Sequence, residues 1–254
     1  MKLSYAGQTH VGMRRTHNED TFFLMQEENL YIVADGMGGH SSGEVASQLA
    51  VETVANFFRA TANDDEVTWP FKMEKERGYE ENRLLTGVKL ANLRIYEAAQ
   101  RDQRYRGMGT TIVGALFTED GLFMGHVGDS RGYIIRDGEI QQITEDHSLL
   151  NDYIKAKKLT QEEIDNFPHK NVIVRALGMK DSVQVDILRY EVKTGDLYVL
   201  CSDGLSGMIN DETIRDLTLE NGADLNQVCA KLIDAANQAG GTDNVTVAVV
   251  RVDE

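Results

Sequence analysis

Ile32-Val33-Ala34-Asp35-Gly36-Met37-Gly38-Gly39-His40 begins as an apolar, β-branched run and ends on an aspartate followed by glycines. Such a run reads as a strand whose end turns sharply, so the carboxylate of Asp35 can point into a cleft. Aspartates beside glycine or a small polar residue, usually just after an apolar run, recur at Asn18-Glu19-Asp20, at Gly128-Asp129-Ser130-Arg131, and in the pair Ser202-Asp203-Gly204-Leu205 and Gly241-Thr242-Asp243-Asn244. Aspartates that converge without cysteine or adjacent histidine make a hard-oxygen site, suited to Mg²⁺ or Mn²⁺ rather than Zn²⁺. The chemistry of such a site is metal-assisted attack of water on phosphate. Taken alone, Asp-Gly is a turn dipeptide, and Asp120-Gly121 and Asp137-Gly138 read as hairpin turns between strand-like runs.

Order and context carry more than any single patch. Arg15-Thr16-His17-Asn18-Glu19-Asp20 fits an Arg-x-x-Asn-x-Asp opening. Met108-Gly109-Thr110-Thr111, His126-Val127-Gly128-Asp129-Ser130-Arg131, Asp146-His147-Ser148-Leu149, Asn171 to Gly178 and Asp243-Asn244 follow in turn. In this order the chain resembles the bacterial serine/threonine branch of the metal-dependent protein phosphatases, the PPM or protein phosphatase 2C family, over essentially its whole length.

Composition is consistent with that setting. At 254 residues the chain can bury one large core, and one domain over 1–254 is expected. The opening Met1-Lys2-Leu3-Ser4 turns polar at once, so no signal peptide is expected, and no apolar run approaches the roughly 20 residues of a membrane span. Two cysteines without paired spacing suggest a reducing compartment, hence the cytoplasm. A formal net charge of −15 disfavours nucleic acid and anionic membrane as partners.

Periodicity predicts strands over Lys2–Gly12, Thr21–Ala34, Thr111–Phe117, Leu122–Val127, Arg131–Arg136, Val183–Arg189, Leu197–Cys201 and Val245–Val252. Helices are predicted at Ser42–Ala60, Glu81–Arg101 and Leu225–Ala239, each with an apolar stripe at three- and four-residue steps. Strand-rich blocks separated by helices argue for an α+β domain. The resemblance implies a four-layer α/β/β/α sandwich: two antiparallel sheets face to face, helices on both outer faces, and a metal cleft at one edge. Two stretches stand outside this core. Thr61–Glu80 reads as an insertion whose Trp69-Pro70-Phe71 either tucks against the body or meets a partner. Residues 146–175 match the family's flap, and Lys155, Lys157, Lys158, Lys170 and Arg175 there form either a solvated face or an edge that steers anionic substrates.

The resemblance also implies roles. Asp35 bridges two ions, Gly36 lends its carbonyl, Asp203 and Asp243 complete the second ion, and Asp20 acts through coordinated water. Asp129 matches the position of a third, weaker ion, or else caps a turn. Two or three ions, Mn²⁺ or Mg²⁺, are therefore expected, with Asn18 and Glu19 orienting their ligands. Arg15 is the phosphate clamp, since a guanidinium matches two phosphate oxygens; an ion pair that merely holds structure is the alternative. Where many eukaryotic relatives carry histidine after the first Asp-Gly, this chain has Met37, and His40 either assists catalysis or caps a turn.

Rival mechanisms fail on residues. Cys201 and Cys229 are followed six positions later by Gly207 and Ala235, not by the arginine of a cysteine phosphatase. No Gly-rich loop ends in Lys-Ser or Lys-Thr. His10, His17, His126, His147 and His169 lack metal-ligand spacing and read as structural or surface residues. The expected function is hydrolysis of phosphoserine and phosphothreonine in proteins by a metal-activated water. A cognate kinase is expected among the substrates, and the chain is expected to be a monomer. A phosphohydrolase of small phosphoesters, or a phosphoprotein-binding member without activity, are the alternatives.

Overall fold

Side-chain alternation along the strands sets the architecture, because a residue's parity decides which face of its sheet it joins. The computed structural model describes residues 1–38, 42–62, 68–157, 159–160, 163–164, 167 and 172–253. In chain order its strands are β1 (Leu3–His10), β2 (Asp20–Met25), β3 (Leu30–Met37), β4 (Gly109–Thr110), β5 (Ile112–Thr118), β6 (Gly121–Val127), β7 (Arg131–Arg136), β8 (Glu139–Gln142), β9 (Asp186–Tyr190), β10 (Leu197–Cys201) and β11 (Val245–Val252). Its helices are α1 (Ser42–Thr61), α2 (Tyr79–Arg101), α3 (Leu149–Lys157), α4 (Asp203–Ser206), α5 (Asp211–Asn221) and α6 (Leu225–Gln238). One sheet runs β1-β11-β10-β7-β8 and the other β2-β3-β5-β6-β9, with β4 paired to β3. All of these pairings are antiparallel.

Three apolar layers follow from the parity. On β3, Leu30, Ile32 and Ala34 face α1 and α2, whereas Tyr31 and Val33 face the opposite sheet. On β10, Leu197, Val199 and Cys201 face α5 and α6, whereas Tyr198 and Leu200 meet the first set across the gap. The result is helix, sheet, sheet, helix, the four-layer α+β sandwich expected above. Cys201 and Cys229 are free thiols buried in the layer between β10 and α6. Among the described residues no helix is long and apolar enough to cross a membrane.

Several boundaries differ from those read in the sequence. Thr21–Ala34 is two strands, broken by a 3-10 turn at Gln26–Glu28 with Asn29 at φ 49°. The polar trio and an asparagine tolerant of the left-handed region explain the break. β9 begins at Asp186, and the preceding Val183 and Val185 pack on the helical layer instead. Helix α5, not expected from the sequence, is short and polar and buries only Ile214 and Thr218. Asp137 (φ 54°) and Gly138 (φ 82°) form the tight left-handed turn between β7 and β8.

The insertion folds back onto the body. Trp69 packs edge-on against Phe57 with centroids 5.4 Å apart, and it also meets Tyr79. The Asn82 side chain donates to the carbonyls of Glu74, Arg77 and Gly78, fixing the approach to α2. Residues 63–67 lie outside the described residues.

Leu200 is fully buried between the sheets. Leu200→Ala should therefore lower unfolding free energy by about 2–5 kcal/mol, from lost transfer energy and a residual cavity. Urea denaturation at fixed Mn²⁺ tests this, and a loss well under 1 kcal/mol would mean the gap can collapse freely.

Candidate metal centre at the mouth of the sandwich

The five aspartates singled out above reach one end of the gap between the sheets. Asp35 continues the Tyr31-Val33 row of β3, and Asp20 is its register partner on β2. Asp203 opens α4 directly after β10, and Asp243 lies two residues before β11. Asp129 sits in the link from β6 to β7, which crosses from one sheet to the other over the gap.

Main-chain pins hold this constellation. The Asp35 N–H donates to Thr111 Oγ1 (3.1 Å), and its carbonyl accepts from Thr111 N–H and Thr110 Oγ1 (2.8 Å each). Gly36 N–H donates to the Glu19 carbonyl at 3.1 Å. A Cβ on Gly36 would collide with the backbone of Gly43 and Glu19, so no other residue fits there without moving α1. The Glu19 carboxylate accepts from Gly43 N–H (3.1 Å), which anchors the start of α1 beside Asp35. Asn244 brackets the opposite side: its Oδ1 accepts from Glu19 N–H, and its Nδ2 donates to the carbonyls of Val11 and His17.

Hydroxyls complete the frame. Ser202 donates to Asp20 Oδ2 at 2.7 Å and itself accepts from Thr246 N–H. Thr111 and Ser130 share a 2.6 Å hydroxyl contact. Sequence reading quoted Thr110, Thr111 and Asn244 inside motifs and gave them no role. It passed over Thr246 altogether.

Electrostatics decide what the cleft can hold. Burial, offset in part by the Thr246 and Ser202 hydroxyls, raises Asp20 to about 7. Burial, with Asp203 and Asp146 nearby, raises Asp129 to about 7. Asp35 opens partly to the cleft, yet enclosure by protein and repulsion from Asp20, Asp203, Asp129 and Asp243 hold it well above the ordinary carboxylate range. Asp203 is raised by burial and by Asp243. Asp20 Oδ1 and Asp129 Oδ1 are buried without a hydrogen-bond partner among the described residues. Crowded carboxylates with free oxygens are what a hard divalent cation would stabilise. Among the described residues no three His, Cys, Asp or Glu side chains form a ready-made cage. A donor set that leaves coordination positions for water suits Mg²⁺ or Mn²⁺ better than Zn²⁺.

Arg15 stands at the rim, half exposed, with Nη2 2.7 Å from Asp243 Oδ2. The ion pair considered as an alternative is thus present, and it involves one of the aspartates rather than a remote group. Arg14 is exposed. A cleft of about 280 Å³ continues from Asp129, Asp203 and Asp243 past Arg131, Asp146 and Ser148 to Leu150. A larger concavity of about 550 Å³ lies at the far end of the sandwich, around Thr118, Arg189 and Val252, remote from these aspartates.

The flap residues are largely spoken for. Lys155 Nζ pairs with Glu145 at 2.8 Å, Lys157 lies over the Tyr153 ring, and Arg175 pairs with Asp186 at 2.7 Å. Local pairing of this kind weakens the steering reading of that edge. His40, Lys158, His169, Lys170 and Asn171 lie outside the described residues.

A family model described as Protein phosphatase 2C matches residues 6–247. The chain is 37% identical over 251 residues to protein phosphatase PhpP of Streptococcus pneumoniae, covering 97% of this chain and 96% of that protein. It is 34% identical over 253 residues to the serine/threonine phosphatase stp of Listeria monocytogenes, covering 97% and 94%. Among solved structures, the serine/threonine phosphatase PstP/Ppp of Mycobacterium tuberculosis matches with a TM-score of 0.86 at 35% identity over 99% of both chains. The catalytic domain of PstP in complex with two manganese ions matches with a TM-score of 0.83 at 36% identity, again over 99% of both.

The raised carboxylates set a pH dependence. A carboxyl whose folded pKa exceeds its unfolded value, about 3.9, stabilises the fold below that value and loses the contribution as pH rises through the folded pKa. With Asp20 and Asp129 near 7, protein stripped of divalent ions by chelation should melt lower at pH 8 than at pH 5.5. Saturating Mn²⁺ should raise the midpoint most at pH 8. A chelated protein that melts higher at pH 8 would show that these carboxylates are not crowded.

Proposed function

The chain belongs to the protein phosphatase 2C family of metal-dependent serine/threonine phosphatases, and we propose that its five-aspartate cleft is where it hydrolyses phosphoserine and phosphothreonine in proteins. The observation that carries this reading is the meeting of Asp20, Asp35, Asp129, Asp203 and Asp243 in one cleft, with two buried carboxylate oxygens unpartnered. In this reading Asp35, the Gly36 carbonyl, Asp203 and Asp243 would hold two ions, Asp20 would act through water, and Asp129 would hold a third. Mn²⁺ or Mg²⁺ bound there supplies Lewis acidity, lowering the pKa of water and neutralising phosphoryl oxygens.

The chain's own residues do the rest. Arg15, at the rim, can present its remaining N–H groups to two phosphate oxygens while one stays on Asp243. Thr110, Thr111 and Ser202 hold the carboxylates in place, so little reorganisation is needed when charge develops. The reading extends to a cytoplasmic monomer whose substrates include a cognate kinase. The free, buried thiols are in keeping with a reducing compartment, and the charge of −15 with the exclusion of nucleic acid.

The decisive measurement is phosphate release from a phosphothreonine peptide and a phosphotyrosine peptide, with EDTA and then with added Mn²⁺. Turnover of the phosphothreonine peptide should vanish in EDTA and return with Mn²⁺. Full turnover after extensive dialysis against chelator would sink the mechanism, and faster release from small phosphoesters than from phosphoproteins would favour the small-substrate alternative. Asp203→Asn and Asp243→Asn should each weaken Mn²⁺ binding by at least about tenfold with the fold retained.

Arg15→Ala separates clamp from ligand. Loss of a charged hydrogen bond at a half-exposed site should raise KM for the phosphopeptide about tenfold. Because Arg15 also pairs with Asp243, Mn²⁺ affinity should shift too, which Arg14→Ala should not reproduce. Unchanged kinetics in Arg15→Ala would return this arginine to a purely structural pair.

A further inference from the structure

His126 and His147 carried no function in the sequence, yet the fold stacks them at one edge of the mouth. Their rings lie 4.7 Å apart with an interplanar angle of 30°. His126 is fully buried on β6, in register with Asp186 of β9. His147 comes from the chain leaving β8, at the base of the flap. It grips Gly128 twice: His147 N–H donates to the Gly128 carbonyl (2.8 Å), and Gly128 N–H donates to His147 Nδ1 (3.0 Å).

That grip has a directional consequence. Because Nδ1 accepts, the proton of the neutral ring sits on Nε2, which has Asp186 Oδ2 at 3.1 Å as its acceptor and Arg175 Nη1 at 2.9 Å beside it. Asp186 is held in turn by Arg175 at 2.7 Å, from the other limb of the flap base. The two limbs are also tied by Leu149 N–H to the Val172 carbonyl and by Val174 N–H to the His147 carbonyl. Gly128 has no latitude of its own: its φ is 114°, and a Cβ there would sit 2.6 Å from Thr111 Cβ. Both polar groups of Gly128, the residue before Asp129, are therefore taken by His147, the N–H by its imidazole and the carbonyl by its main chain.

We propose that His147 is a positioning residue: it holds Gly128 so that Asp129 faces Asp203 as an ion ligand, and it ties that ligand to the base of the flap. The inference rests on the reading of Asp129 as the ligand of a third, weaker ion. It predicts that the flap base and the Asp129 position cannot move independently, whereas Asp35 and Asp20 are pinned through Thr111 and Ser202 and do not use His147.

The test counts Mn²⁺ bound to the full chain by electron paramagnetic resonance of the free ion, well below the melting temperature. Wild type should bind two ions tightly and one more weakly, and Asp129→Asn should lose the weak one. His147→Phe keeps a ring on His126 but removes the acceptor, and should weaken that same ion about tenfold or more while the tight pair stays. His147→Asn, whose Oδ1 can still accept from Gly128, should keep most of the wild-type affinity. A merely structural role would instead lower all three affinities together or none. Wild-type binding of the weak ion in His147→Phe, or failure of His147→Asn to retain it, overturns the proposal. If Asp129→Asn leaves the ion count unchanged, the ligand reading itself fails, and this inference with it. Should His147→Phe not fold, Asp186→Ala leaves Nε2 facing the Arg175 donor, which favours the tautomer protonated on Nδ1 and so takes away the acceptor for Gly128; it should show the same selective loss to a smaller degree, and an unaltered weak ion there also overturns the proposal.

Discussion

Like charges forced together in a poorly solvated cleft are the constraint that the rest of this molecule accommodates. Asp20 and Asp35 are backbone neighbours in register, and Asp203, Asp243 and Asp129 arrive from the opposite sheet and from the link between sheets. Burial, with repulsion from neighbouring aspartates added, raises Asp20, Asp35, Asp129 and Asp203. Among the described residues the two arginines at the cleft offset this charge only in part. Arg15 touches only Asp243 and is half exposed, and Arg131 is committed to Asp146 by paired contacts of 2.7–3.1 Å. The arrangement therefore stores an unfavourable interaction that a divalent cation relieves, and cation binding becomes part of the folding free energy.

The frame that resists this repulsion is mostly main chain and hydroxyl. Thr111 binds both the amide and, with Thr110, the carbonyl of Asp35, contacts Ser130, and sits against Gly128. Short β-branched hydroxyl residues suit such a task, because a stiff χ1 holds the oxygen where the backbone puts it. Glu19 shows the same economy. Its carboxylate is spent on the N-terminus of α1, its carbonyl accepts from Gly36 and Ser47, and its amide binds Asn244. A carboxylate next to the proposed ligand Asp20 is thereby kept out of the ligand set.

Much of this was legible in the sequence, and the limits have physical causes. Apolar runs ending in Asp-Gly announce strands that deliver carboxylates to one edge, and the parity of β3 and β10 follows from their residue types. Sheet pairing, by contrast, is long-range: nothing local says that Asp20 opposes Asp35, or that Arg15 meets Asp243 across 228 residues. Helix α5 hides because it is short and largely polar, burying only Ile214 and Thr218 of its eleven residues. Thr111, Ser202 and Thr246 were invisible as site residues because serine and threonine occur everywhere, and only geometry separates a pin from a surface hydroxyl. His147 was discounted for want of ligand spacing, a test that asks only whether a histidine touches metal.

The two halves of the proposed site ride on different sheets, so the separation of their aspartates is set by what fills the gap behind them. Tyr31, Phe117 and Tyr198 form a chain of edge-on rings across it, with centroids 5.9 and 5.1 Å apart. Facing sheets pack about 10 Å apart, and aromatic rings of this size fix that spacing more firmly than flexible aliphatic chains would. Tyr31 lies on the same strand row as Asp35, and Tyr198 is three residues before the end of the strand that delivers Asp203. A change in ring size there would act on the cleft as a lever acts on its far end, altering carboxylate spacing without touching a ligand. Core packing between the sheets and metal geometry at their mouth are thus one mechanical property of the same sandwich.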